Sequence, residues 1–109
     1  MPTTYKVLGQ VNPSATSATT LYTVPSATAT VVSTLHVCNQ AGTSGTYRIA
    51  IRPAGETLAA KHYVAYDIAI AANDTTALTL GLTLAATDVI TVYASSASMS
   101  FSAFGSEIS

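Results

Sequence analysis

Side chains able to do chemistry are few and scattered along this chain of 109 residues. His36 and Cys38 stand two apart in Leu35-His36-Val37-Cys38-Asn39, a spacing that places both on one face of an extended strand. An imidazole so placed can activate the thiolate or share a metal with it. The commoner reading of such a pair is a packed cysteine beside a half-buried histidine, and no neighbouring residue supplies a third, orienting group. His62, in Lys61-His62-Tyr63, reads as the start of a strand at a rim. The carboxylates are Glu56, Asp67, Asp74, Asp88 and Glu107. Glycosidase chemistry would need two of them facing each other across a cleft. Asp74 and Asp88 fall in Ala72-Asn73-Asp74 and Ala86-Thr87-Asp88, where Asx turns explain them. Glu56 follows Pro53-Ala54-Gly55 in a loop and Glu107 lies close to residue 109. Asp67 interrupts the strand-like Tyr66-Asp67-Ile68, and pairing with Arg48 or Arg52 on a neighbouring strand accounts for it.

Other chemistries lack their signatures. There is no Gly-x-Ser-x-Gly and no glycine-rich phosphate loop, the local motifs of serine hydrolases and nucleotide binders. One cysteine forms no internal disulfide, and Cys38 has no spaced partners for zinc. Four Lys+Arg against five Asp+Glu give a net charge of -1, which is no electrostatic footprint for nucleic acid. No apolar run approaches the ~18 residues of a membrane span. The opening Met1-Pro2-Thr3-Thr4-Tyr5-Lys6 lacks the apolar stretch of a signal peptide. The expectation is a protein without enzymatic activity, cofactor or metal, and without nucleic-acid or membrane partners. Contact chemistry is better represented. Six tyrosines (Tyr5, Tyr22, Tyr47, Tyr63, Tyr66 and Tyr93) outnumber two phenylalanines and no tryptophan. Tyrosine serves at a wet boundary, ring packed and hydroxyl exposed, which suits a carbohydrate, a protein partner or the edge of a small core. Tyr5, Lys6, Arg48, Arg52, Tyr63 and Tyr66 are the candidate contact residues.

The elements that must position them are strands. Ala, Ser and Thr number 19, 12 and 18, and only 8% of residues are charged, against about 25% in average soluble domains. Yet 49% are hydrophobic and mean hydropathy is +0.41, in an alternation that disordered segments do not keep. In Thr30-Val31-Val32-Ser33-Thr34-Leu35-His36-Val37-Cys38-Asn39, strict alternation puts Val31, Leu35 and Val37 on one face, and Val32, Thr34, His36 and Cys38 on the other. In Gly45-Thr46-Tyr47-Arg48-Ile49-Ala50-Ile51-Arg52, Tyr47, Ile49 and Ile51 point one way, Arg48 and Arg52 the other. Such alternation marks half-buried strands. Further strands are expected at about 5–11, 19–24, 62–70, 75–83, 88–94 and 98–107. The stretch Leu78-Thr79-Leu80-Gly81-Leu82-Thr83-Leu84 puts four leucines on one face, with Gly81 marking a bulge or a close backbone approach. Gly55-Glu56-Thr57-Leu58-Ala59-Ala60-Lys61 is too short for a stable helix and reads as a connecting turn. Seven to eight short strands with no helical period predict an all-β fold, an antiparallel β-sandwich of jelly-roll or Ig-like type. Residues 1–6 are expected as an N-terminal arm before a single sandwich domain at 7–109, with Tyr5 as its anchor.

Taken together, Val7-Leu8-Gly9-Gln10-Val11-Asn12-Pro13, Leu21-Tyr22-Thr23-Val24-Pro25, Lys61-His62-Tyr63-Val64-Ala65-Tyr66-Asp67, Val89-Ile90-Thr91-Val92-Tyr93-Ala94 and Phe104-Gly105-Ser106-Glu107-Ile108 form a distinctive series. In that order they resemble a family of small structural proteins of tailed bacteriophages, cyanophages among them. The resemblance covers nearly the whole chain and implies a non-enzymatic component of the virion, assembled in the host cytoplasm. Capsid decoration (cement) proteins of this kind are small sandwiches that bind the outer shell, often as trimers. Tail, neck and fibre proteins use similar sandwiches. The implied partners are the major capsid protein or other virion proteins, together with further copies of the chain, a trimer matching the local threefold positions of a shell. Low charge accords with assembly, because an uncharged sheet edge is poorly guarded against pairing and a small core buries a modest share of its surface. A carbohydrate-binding module is the reading from another class, with Tyr63 and Tyr66 as stacking platforms.

Overall fold

A computed structural model describes residues 2–79 and 81–109. Among the described residues nine strands form in chain order: β1 (Thr3–Val11), β2 (Thr19–Thr23), β3 (Ala29–Asn39), β4 (Gly45–Arg52), β5 (Tyr63–Ile70), β6 (Thr75–Leu78), β7 (Leu82–Leu84), β8 (Val89–Ala94) and β9 (Met99–Ile108). Two single 3-10 turns, Pro53–Gly55 and Ala60–His62, lie in the connection expected to hold no helix. One sheet runs β1-β9-β3-β6 with β7 also on β3, the other β2-β8-β4-β5, and every pairing is antiparallel. Both β6 and β7 pair with β3, so they are two halves of one interrupted strand. Counted so, the eight strands follow the order of a jelly roll, two Greek keys closed face to face.

Inward residues of both sheets make one core. Leu35, Val37, Phe101, Met99 and Ala103 from the first sheet meet Tyr47, Ile49, Ile70, Ile90, Val92 and Leu21 from the second. Tyr47 is fully buried with its ring edge-on to Phe101, centroids 6.3 Å apart. Its hydroxyl has no hydrogen-bond partner among the described residues, and burial raises its pKa. A hydroxyl left unbonded costs ~1–3 kcal/mol, so the ring's packing is what holds the residue inside. At one end the sheets are clipped by a polar cluster. The Tyr22 hydroxyl donates to Glu107 Oε2 and meets Thr30 Oγ1 at 2.9 Å, while Lys6 Nζ reaches Glu107 Oε1 at 3.4 Å. Burial, then the bond to Glu107, pushes the Tyr22 phenol up to about 12.

Three irregularities line up across the first sheet. Leu8 is extra between the pairs Val7↔Phe104 and Gly9↔Ala103. Ser33 is extra between Val32↔Gly105 and Thr34↔Phe104. The break between β6 and β7 opposes the same part of β3, since Leu78 pairs with Leu35 and Leu82 with Val32. One extra residue reverses the face of everything beyond it, which corrects the alternation expected for residues 30–38. Val32 is buried with Leu35 and Val37, whereas Val31 is 38% exposed on the side of His36 and Cys38. The long strand expected at 75–83 is likewise divided, with Gly81 at φ +63° in the break. Leu78, Leu82 and Leu84 face the core; Leu80, the remaining leucine of that expected face, lies outside the described residues.

The boundary expected at residue 6 also moves. β1 begins at Thr3, and Thr3, Thr4, Tyr5 and Lys6 pair with Ile108, Glu107, Ser106 and Gly105. Residues 3–6 are therefore sheet, because the end of β9 offers them a complete ladder.

Backbones approach closely where the sheet bends. A Cβ on Gly105 would fall on the Val31 carbonyl oxygen, and one on Gly9 on that of Leu21. Gly105→Ala is expected to destabilise the fold by about 2 kcal/mol or more, lowering Tm on the order of 10 °C. Gly42→Ala, where an added Cβ meets nothing within 4 Å, is the control, and thermal melts followed by circular dichroism compare them.

Candidate functional site

The outward face of the second sheet carries the best-organised group of side chains. On β4 the alternation that buries Tyr47 and Ile49 turns Arg48 and Arg52 outward, as the sequence predicts, while Ala50 between them is covered. β5 departs from alternation twice. Between Ala50↔Tyr63 and Ile49↔Ala65 the extra residue is Val64, and between Ile49↔Ala65 and Tyr47↔Ile68 both Tyr66 and Asp67 oppose Arg48 alone. Asp67 takes φ +51° there, a left-handed conformation that Asp accepts more readily than most residues. The bulge thus delivers a ring and a carboxylate to one guanidinium. Arg48 Nε donates to Asp67 Oδ1 at 2.7 Å and Nη2 to Oδ2 at 3.3 Å. The guanidinium carbon lies 4.2 Å from the ring centroids of both Tyr66 and Tyr93, each a cation–π distance. Hydrogen bonding to Asp67 raises the already high pKa of Arg48 further. Tyr63 extends the row, edge-on to Tyr66 with centroids 4.9 Å apart.

Beside this row is a groove of about 610 Å³ lined by Leu58, Ala59, Ala60, Tyr63 and Tyr66. Its wall is a short loop held from both ends. Arg52 Nε donates to the Glu56 carbonyl at 2.6 Å and Nη2 to the Gly55 carbonyl at 3.0 Å, with Nη1 3.2 Å from Thr91 Oγ1. His62 is buried rather than at a rim. Its Nδ1 accepts the Ala59 N–H at 3.0 Å, which leaves Nε2 to carry the proton toward Glu56 Oε1 at 3.3 Å. Lys61 Nζ reaches the same oxygen at 3.4 Å. The His62 bond, then the Lys61 charge, lowers the Glu56 pKa.

Of the six candidate contact residues, Arg48, Tyr63 and Tyr66 come together here. Arg52 shares their sheet face but is turned onto the loop. Tyr5 and Lys6 belong to β1 at the margin of the other sheet, Tyr5 84% exposed and Lys6 paired with Glu107. His36 packs edge-on to Phe104 at 5.2 Å, and half-buried Cys38 stands beside it on the outer face of β3. Among the described residues no group of three or more His, Cys, Asp or Glu is placed to hold a metal ion. Sequence reasoning passed over Tyr93, although Ile90 and Val92 inside its own strand already imply that it faces outward. It also passed over the joint role of Glu56 and His62, whose spacing of six residues in a loop has no periodic signal.

The chemistry of Glu56 sets a pH dependence. A carboxylate whose folded pKa is lowered stabilises fully above the ordinary carboxylate range and loses that contribution as pH falls through its folded value. Thermal melts from neutral to strongly acidic pH are expected to show a steeper acid loss in the native chain than in Glu56→Gln.

No protein-family model, no curated protein and no solved structure matches this chain.

Proposed function

We propose that the chain is a non-enzymatic structural protein of a tailed-phage virion, a capsid decoration subunit that binds the assembled shell as an oligomer and stabilises it. The observation that carries this reading is how the polar side chains are used. Arg48 and Asp67 bind each other, Arg52 and His62 hold a loop, and Lys6, Glu107 and Tyr22 clip the sheets. Asp74 and Asp88 cap turns through the N–H groups of Thr75 and of Ala54 and Ala85. These ionisable groups are engaged in shape, which suits a scaffold whose work is contact. The jelly roll, a fold common to capsid and lectin domains, and the resemblance of the sequence to small virion proteins point the same way, although fold alone assigns no function. Protein stoichiometry of purified particles tests it. A copy number comparable to that of the major capsid protein is expected. A few copies per particle would assign the chain to tail, neck or fibre instead, and absence from particles would overturn the reading.

One observation favours a second reading, carbohydrate binding. Tyr66 is 54% exposed yet fixed by Arg48 against one side and Tyr63 against another. A held ring loses little entropy on stacking against a sugar, and the adjoining groove lies within the size range of ligand sites. Glycan-array binding lost in Tyr66→Ala, with far-ultraviolet circular dichroism unchanged, is the expected result of that reading; an array with no binding removes it.

A further inference from the structure

A sandwich leaves four lateral edges, and three of these are guarded. β2 has five residues and a register shift at Leu21. β5 carries two bulges and a left-handed Asp67. The edge opposite β1 is broken between β6 and β7. Short strands, bulges and interruptions are the devices that keep edges from pairing with another chain. β1 differs along part of its length. From Gly9 onward it is closed against β2, where a Cβ on Gly9 would meet the Leu21 carbonyl. Residues 3–7 are all exposed and run in regular register with β9, and among the described residues no strand lies on their outer side.

The free hydrogen-bonding groups of this stretch can be named. The Ser109 N–H donates to the Pro2 carbonyl at 3.1 Å, which fixes the phase of an antiparallel ladder. Pro2, Thr4 and Lys6 turn their backbone groups to β9. Thr3, Tyr5 and Val7 turn their N–H and C=O groups to the open side. Their side chains share the outer face of the sheet with Ser106, Phe104 and Ile108, and Tyr5 and Val7 are 84% and 48% exposed. Lys6 would normally guard an edge, but its side chain is on the inner face and its ammonium pairs with Glu107.

We infer that this edge pairs antiparallel with the same edge of a second copy, about a two-fold axis at Tyr5. The register is self-complementary. Tyr5 faces the second copy's Tyr5, and Thr3 faces its Val7, so each outward donor and acceptor meets its counterpart and the two tyrosine rings lie side by side. Lys6 then faces the second copy's Thr4, with its own Glu107 still balancing its charge. Such a contact is isologous and closes at two copies, in place of the threefold arrangement that the sequence resemblance implies. Little order has to be gained, because β1 is already a strand on the free molecule.

Sedimentation equilibrium of the full chain is expected to show two copies of 11.1 kDa in concentration-dependent exchange with monomer. Tyr5→Pro removes only N–H groups on the open side, a position where edge strands accept proline. It is expected to weaken association about a hundredfold for the two bonds lost. In a Cys38→Ser background, Tyr5→Cys should form an intermolecular disulfide under mild oxidation, its Cα atoms being an ordinary disulfide distance apart across the axis. Val7→Cys should not, because its mate is Thr3. The cross-linking pair keeps the test decisive if proline disturbs the fold. A monomer at all concentrations, a trimer, or cross-linking at Val7 equal to that at Tyr5 would overturn the inference. Neither result depends on whether particles contain the protein.

Discussion

Because β9 is paired along most of its length on both sides, with β1 and with β3, its neighbours must fit one shared backbone, and the tightest point of that fit is Gly105, where the Val31 carbonyl occupies the space of a side chain. Beside it both neighbours carry one extra residue, Leu8 on one side and Ser33 on the other. Bulges bend and twist the strands that hold them. The first sheet therefore closes on the second through Leu35, Val37 and Phe101, then changes face beyond the bend. Residues 3–7, Val31 and Ile108 lie past that point. The clip of Tyr22, Thr30 and Glu107 keeps this end attached to the second sheet at β2.

Charge is used on the other side of the molecule with similar economy. A single bulge in β5 brings Tyr66 and Asp67 to Arg48, and Tyr93 completes the stack from β8. Four residues from three strands thus make a fixed surface without a cluster of unpaired charges. An exposed ion pair alone contributes little to stability; a planar guanidinium held between two rings is more restricted, and a lysine would supply neither the fork nor the flat face. The loop beside it depends on Arg52 and His62 in the same way, through their bonds to its backbone groups.

Much of this was legible in the residues. Alternation located β3 and β4, turn residues located most of the gaps, and an acid inside a strand announced a pairing with Arg48 or Arg52, which the structure gives to Arg48. What stayed hidden were insertions that look like ordinary strand. Ser33 and Val64 carry no glycine or proline, so nothing in the local pattern says that two residues oppose one. The inverted faces of Val31 and Val32 follow from that silence. Gly81 was a better signal, since glycine takes a positive φ without the steric cost a Cβ brings, and the strand does break there. The start of β1 was hidden for another reason: Thr3 and Thr4 gain strand structure from the far end of β9, a contact separated by nearly the whole chain.

The two organised surfaces occupy opposite sides of the sandwich. β1 packs beside β2, and β2 and β5 are the two ends of the second sheet, so the tyrosine row on β5 lies across the width of the molecule from the free edge of β1. Pairing through β1 therefore leaves Arg48, Tyr63, Tyr66 and Tyr93 uncovered and presents them twice, related by the same two-fold axis. Two weak contacts held in one rigid body bind a repetitive surface far more tightly than either alone, provided their spacing matches the repeat. A virion shell offers such repetition, and so does a polysaccharide. The geometry of the pair, more than the chemistry of one platform, would then select between them.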